Sequence, residues 1–157
     1  MQLKKMAVVF TCLLLVASLL AGCGGSQSGS QSLPTIRFLA DDSEAAKKYA
    51  QGLQEIFRQA LGIELVLENV DFATRLQKMR DGDFDLVFAG WGADYNDPLS
   101  FLELWVTDGP YNDVGWSNAE FDELISIARS STDQEERMEA LAKAEKILLD
   151  EAPIIPV

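Results

Sequence analysis

The 157-residue sequence has no histidine and only two cysteines. Without histidine there is no Ser-His-Asp triad, the commonest zinc ligand is missing, and no side chain has an ordinary pKa near neutrality. Most hydrolase mechanisms therefore lack their general base. Cys12 lies inside an apolar N-terminal run and Cys23 ends it, so the body of the chain holds no thiol for a disulfide, a metal or a nucleophile. Basic residues are scarce as well. Lys and Arg number 13 against 25 Asp and Glu, a net charge of −12, which repels phosphate backbones and excludes nucleic acid as a natural partner. Such acidity suits ligands carrying an ammonium, and it equally serves plain solubility.

What is present begins with a leader. Lys4 and Lys5 precede the uncharged run MAVVFTCLLLVASLLAG, the pattern of a secretory signal. Its end, Leu20-Ala21-Gly22-Cys23, resembles the bacterial lipobox, in which the cysteine becomes the lipidated first residue after cleavage. Residues 1–22 are thus expected to be a lipoprotein signal peptide, and Cys23 the lipidation site and membrane anchor. GGSQSGSQSLP follows, with nothing apolar to bury, so residues 23–34 read as a flexible tether. Residues 35–157, with the apolar content of a globular chain, read as one folded domain.

Within that domain, alternation predicts a strand over 35–40, and Ser43 offers an N-cap for a helix to Leu61. Ala46, Tyr49, Leu53, Ile56, Phe57 and Ala60 share its apolar face, Gly62 stops it, and a second strand is expected over 63–70. A short helix with Phe72, Leu76 and Met79 on one side and an Asp81-Gly82 turn lead to a third strand over 84–89. This βαβαβ order places the chain in the α/β class, a short parallel sheet covered by helices. The C-terminal half is helical. Ser117-Asn118-Ala119-Glu120 and Thr132-Asp133-Gln134-Glu135 read as capping boxes, the first opening a helix with Phe121, Leu124, Ile125 and Ala128 inward. The second helix is expected to bury Met138, Leu141, Ala142, Leu148 and Leu149 and to end at Pro153.

The third strand runs into an unusual join, FDLVFAGWGADYNDPLSFLELW over 84–105. Ligands of open parallel sheets sit beyond the carboxyl ends of strands, where this join begins. Asp97 precedes Pro98 and has the sequence of a helix cap, a structural role. Asp94, beside Trp91 and Tyr95, has no such duty. A carboxylate among aromatic faces can receive an ammonium by charge-assisted hydrogen bonding and cation–π contact; it can also be a solvated turn residue next to a core tryptophan. The acids here lack the glycine and distal glutamate of a calcium loop, and no second carboxylate is fixed at a glycosidase spacing, so no metal or other cofactor is expected.

The WGADYNDP run, the later GWSNAEFDELI and the closing EAPIIPV resemble the C-terminal lobe of solute-binding family 5, the oligopeptide-binding lipoproteins of ABC importers. The resemblance covers about 36–157. It implies a periplasmic-binding-protein-like fold and an exported receptor, not an enzyme, that delivers an oligopeptide to permease subunits at the outer face of the membrane. It further implies that Asp94 binds the peptide's free α-ammonium, with Trp91 at the pocket wall, and that Trp116 and Asn118 support the fold. Family members are several times longer and two-lobed, so this chain is expected to be a truncated, single-lobe form. The alternatives are a non-transporting interaction lipoprotein or remnant of that lobe and, from another class, a secreted hydrolase using Asp94.

Overall fold

A computed structural model describes residues 35–157; the expected signal peptide, Cys23 and the whole of the tether lie outside the described residues. Three strands, β1 (Ile36–Asp41), β2 (Leu65–Val70) and β3 (Leu86–Val87), form a parallel sheet in the order β2-β1-β3. Helices α1 (Glu44–Leu61) and α2 (Phe72–Arg80) connect them, and the C-terminal half carries the short α3 (Leu99–Leu102), a 3₁₀ turn (Glu103–Trp105), α4 (Ala119–Ser130) and α5 (Gln134–Glu151). The α/β class, the parallel pairing and the helical C-terminal half are as the sequence predicts. Among the described residues no helix is long and apolar enough to cross a membrane.

The central strand dictates the first core. β1 has a neighbour on each side, so Phe38, Leu39 and Ala40 are all buried, and α1 covers the sheet with Ala46 and Ala50 against it and Leu53 and Phe57 beside them. Two small alanines at the contact let the helix approach closely. α1 begins where Ser43 Oγ accepts the Ala46 amide and ends at Gly62, whose φ of 67° closes the helix with the Ile63 amide bonded to the Phe57 carbonyl at 3.3 Å. The predicted face was drawn too wide: Ile56 is exposed and so is Ala60, since the sheet is only three strands broad and does not reach that side of the helix.

A second core lies in the helical half, where Leu99 and Leu102 pack with Phe121, Ile125 and Ala128 of α4 and Ala140, Leu141, Ala144 and Leu148 of α5. The predicted inward face of α5 is rotated. Met138 and Leu149 are 41% and 46% exposed, and Ala142 is exposed, whereas Ala140 and Ala144 are buried. The helix turns its small residues toward α4 because close packing rewards small side chains at the contact. Both capping boxes shift by one residue. Asn118, not Ser117, caps α4 through the Phe121 amide, and Asp133, not Thr132, caps α5 through the Glu135 and Glu136 amides. Asn and Asp are at least as strong caps as the Ser and Thr before them.

β3 is shorter than the predicted 84–89, and α2 buries Arg75 where Phe72, Leu76 and Met79 were expected to lead; Phe72 is 60% exposed. The burial of Arg75 has a visible cause. Arg75 Nη1 donates to the carbonyl of Phe88, just past β3, at 2.8 Å, and the Phe72 ring lies 5.0 Å from its guanidinium. The opposite end of the sheet is held by charges. Asp83 accepts from Arg37 Nη1 of β1 at 2.5 Å and from Lys78 of α2, and Lys78 also reaches Glu68 of β2 at 2.9 Å. These donors, Lys78 foremost, pull the Asp83 carboxyl down to about 2.

Two expectations follow. Phe121→Ala, which empties a fully buried site, should cost about 3–5 kcal/mol in denaturant titration. A carboxyl whose folded pKa is depressed adds stability that is present above the ordinary carboxylate range and is lost as pH falls toward about 2. Asp83→Asn should therefore flatten the pH dependence of unfolding between about pH 4 and 2, as acid titration of the two proteins would show.

Candidate functional site

The strand order places the site. From β1 the chain passes to β2 on one side and later returns to β3 on the other, so the crevice outside the carboxyl ends of β1 and β3 is a topological switch point, where open sheets bind ligands. Asp41 ends β1 there, Asn69 Nδ2 ties the end of β2 to the Asp41 carbonyl at 2.9 Å, and Arg75 holds the end of β3. The join carrying Trp91, Asp94, Tyr95 and Asp97 leaves from this edge and runs to α3.

The acids of this region differ sharply in their surroundings. Asp97 accepts the Leu99 amide at 2.8 Å and an ion-paired Arg137 Nη2 at 2.6 Å; Arg137 above all holds its carboxyl below the usual range. Asp97 thus caps the turn that Pro98 opens, although Pro98 stands immediately before α3 where the sequence placed it at the first helical position. Glu103 accepts the Tyr95 hydroxyl at 2.5 Å and Arg129 Nη2 at 3.0 Å, and it too is shifted down, with the Tyr95 contact the largest cause. Burial, followed by that same bond, pushes the Tyr95 phenol up to about 12. The carboxylate of Asp94 makes no hydrogen bond or ion pair among the described residues, and the side chain is exposed. Only its backbone is engaged, the amide donating to Ser100 Oγ at 2.8 Å.

The aromatic residues divide similarly. Trp91 is 38% exposed and meets Tyr111, 54% exposed, edge to face with centroids 4.8 Å apart. Such a pair is a preferred aromatic geometry and presents open ring surface from two separate loops. Tyr95 keeps an exposed ring but commits its hydroxyl to Glu103. Sequence reasoning missed Tyr111, Ser100, Arg129 and Arg137, because each acts across a distance in the chain that no local motif spells out. A separate recess of about 350 Å³ lies between α3 and α5, lined by Phe101, Met138, Ala142 and Glu145 among others.

Trp116 and Asn118 meet at one acceptor. Trp116 Nε1 donates to Glu151 Oε2 at 2.8 Å and Asn118 Nδ2 to Glu151 Oε1 at 2.6 Å, joining the last residue of α5 to the cap of α4. Asn112, buried nearby, spreads its amide over the carbonyls of Val106 and Trp116 at 3.1 and 2.7 Å and so closes the loop that carries Tyr111.

A short parallel sheet covered by helices, with a crevice at its switch point, is an α/β arrangement whose relatives can be sought by comparison. The profile of the bacterial extracellular solute-binding proteins, family 5 Middle, matches residues 17–113, and the chain belongs to this family. The oligopeptide-binding protein OppA of Bacillus subtilis (strain 168) is 37% identical over 131 residues, 83% of this chain and 24% of that protein. The dipeptide-binding protein DppE of the same organism is 33% identical over 134 residues, 85% and 25% of the two chains. The structure of Haemophilus influenzae OppA in complex with RPPGFSPFR superposes with a TM-score of 0.75 at 30% identity, over 78% of this chain and 24% of that one. These relatives are solute-binding proteins rather than enzymes, and the chain spans about a quarter of the length of the curated relatives it matches.

The Glu151 clasp generates a prediction. Glu151→Ala removes the acceptor of two exposed donors, so it should lower stability by about 1 kcal/mol and change the emission of Trp116, read by denaturation followed through fluorescence.

Proposed function

We propose that this chain is the extracytoplasmic peptide-binding component of an ABC-type oligopeptide importer, anchored by a lipid on Cys23 and holding the peptide's N-terminal ammonium at Asp94. The observation that carries the reading is the contrast among acids at the switch point. Asp97 and Glu103 are each matched to an arginine, while Asp94 is exposed and unmatched among the described residues. An ammonium is the charge such a carboxylate lacks. The exposed rings of Trp91 and Tyr111 add surface suited to stacking and cation–π contact, and relatives of this chain are named for binding oligopeptides and dipeptides.

The chain matches about a quarter of the length of the peptide-binding relatives. One lobe supplies one wall of a cleft, so its affinity is weaker than that of a closed clamp. A second reading, a non-transporting interaction lipoprotein or remnant, is favoured by the exposed apolar recess around Phe101 and Met138. No reaction is assigned to Asp94, and no cofactor enters either reading.

Calorimetry on the full chain separates these readings. Short peptides with a free N-terminus should bind at least about tenfold more tightly than their acetylated forms, the range of a charge-assisted hydrogen bond, and Asp94→Asn should remove the preference. Equal binding of acetylated peptides would sink the role of Asp94, and absence of all binding would support the interaction module. For the anchor, Cys23→Ser should abolish incorporation of labelled fatty acid in a bacterial host and release the protein from the membrane fraction.

A further inference from the structure

We infer that Ser100 and Arg137 are positioning residues for the ammonium site, fixing the backbone that carries Asp94 while leaving its carboxylate free; the inference rests on the Asp94 reading proposed above. A join containing Gly90 and Gly92 has little stiffness of its own. Its far end is nevertheless held at both sides of the short stretch from Asp94 to Asp97.

Ser100 is 1% exposed, and its Oγ accepts the Asp94 amide at 2.8 Å. The acceptor is shielded from solvent, so this contact restrains the Asp94 backbone. Three residues on, the Asp97 carboxylate is gripped by Arg137 Nη2 at 2.6 Å. The same guanidinium donates from Nε to the Ala128 carbonyl in the last turn of α4 at 3.0 Å, so the arginine is itself clamped and transmits the position of the α4–α5 pair to the join. A guanidinium suits this task because its donors form a rigid planar fork. Ser100 lies in α3 between Leu99 and Leu102, both of them part of the buried helical core.

The two contacts matter for recognition because a charge-assisted hydrogen bond weakens steeply with misalignment. Loosening the backbone at Asp94 should therefore erode the selectivity for a charged amine and spare affinity that comes from the rest of a peptide. A residue that only supports the fold would lower stability and leave that selectivity intact.

The test uses the full chain with Ser100→Ala, Ser100→Thr, Arg137→Gln, Arg137→Lys and Asp94→Asn. Each is titrated calorimetrically with one short peptide in free and acetylated form, and hydrogen exchange at the Asp94 amide is followed in parallel. The free-over-acetylated preference should fall at least about threefold in Ser100→Ala and in Arg137→Gln, be largely restored in Ser100→Thr, which keeps the hydroxyl, and be only partly restored in Arg137→Lys, which keeps the charge without the fork. The Asp94 amide should exchange at least about tenfold faster in Ser100→Ala. If Ser100→Ala does not fold, the Arg137 pair carries the same comparison. Lower stability with the preference intact overturns the positioning role alone, provided Asp94→Asn abolishes the preference. A preference unchanged by Asp94→Asn, or no binding by the unaltered chain, overturns the Asp94 reading and the positioning role with it.

Discussion

The ion pair between Asp97 and Arg137 joins what the backbone leaves separate. The described residues form two buried clusters, one under the sheet and one between the helices, and the join from β3 to α3 runs from one to the other. Neither cluster fixes that join by apolar burial, since most of its residues are exposed. A partly buried pair, with side chains 17% and 23% exposed, does so through direction: the guanidinium fork aligns with a carboxylate on one side and a helix-end carbonyl on the other. Apolar contacts would supply cohesion there without that orientation.

Charge is used unevenly across the molecule. At the N-terminal edge of the sheet, Arg37, Lys78, Asp83 and Asp85 satisfy one another across strands and helix. At the C-terminal edge, Arg75 is buried and spent on a backbone carbonyl, and Arg129 and Arg137 are spent on Glu103 and Asp97. A chain with 13 basic and 25 acidic residues must leave acids unmatched somewhere, and they are spread over helix surfaces and loops alike. Asp94 is one of these, on the exposed join that leads from β3 to α3.

Much of this was legible in the sequence. Alternation and helical spacing gave β1, α1 and β2 within a few residues, and Gly62 marked the helix end because only glycine adopts its φ of 67° without strain. Asp94 and Asp97 could be told apart from the proline after one of them. Three things were not legible. The inward face of α5 depended on which neighbour it packs against, and a periodic pattern rich in alanine and leucine fits more than one face. Arg75 was hidden because charged residues are read as solvent-facing, and its burial depends on a carbonyl supplied from β3. Ser100 and Arg137 carry no local signature, since their partners are defined by tertiary geometry.

The clasp at Glu151 has a kinetic consequence. It closes the α4–α5 hairpin at its open end, opposite the short connection of residues 131–133, so both ends of the unit are bonded with most of its contacts internal. The sheet, by contrast, cannot form until a whole helix has been laid between each pair of parallel strands. Local contacts form faster than those separated by long loops. The hairpin is therefore the natural nucleus of the chain, able to assemble first and offer a finished surface on which the join, and then the strands, come to rest.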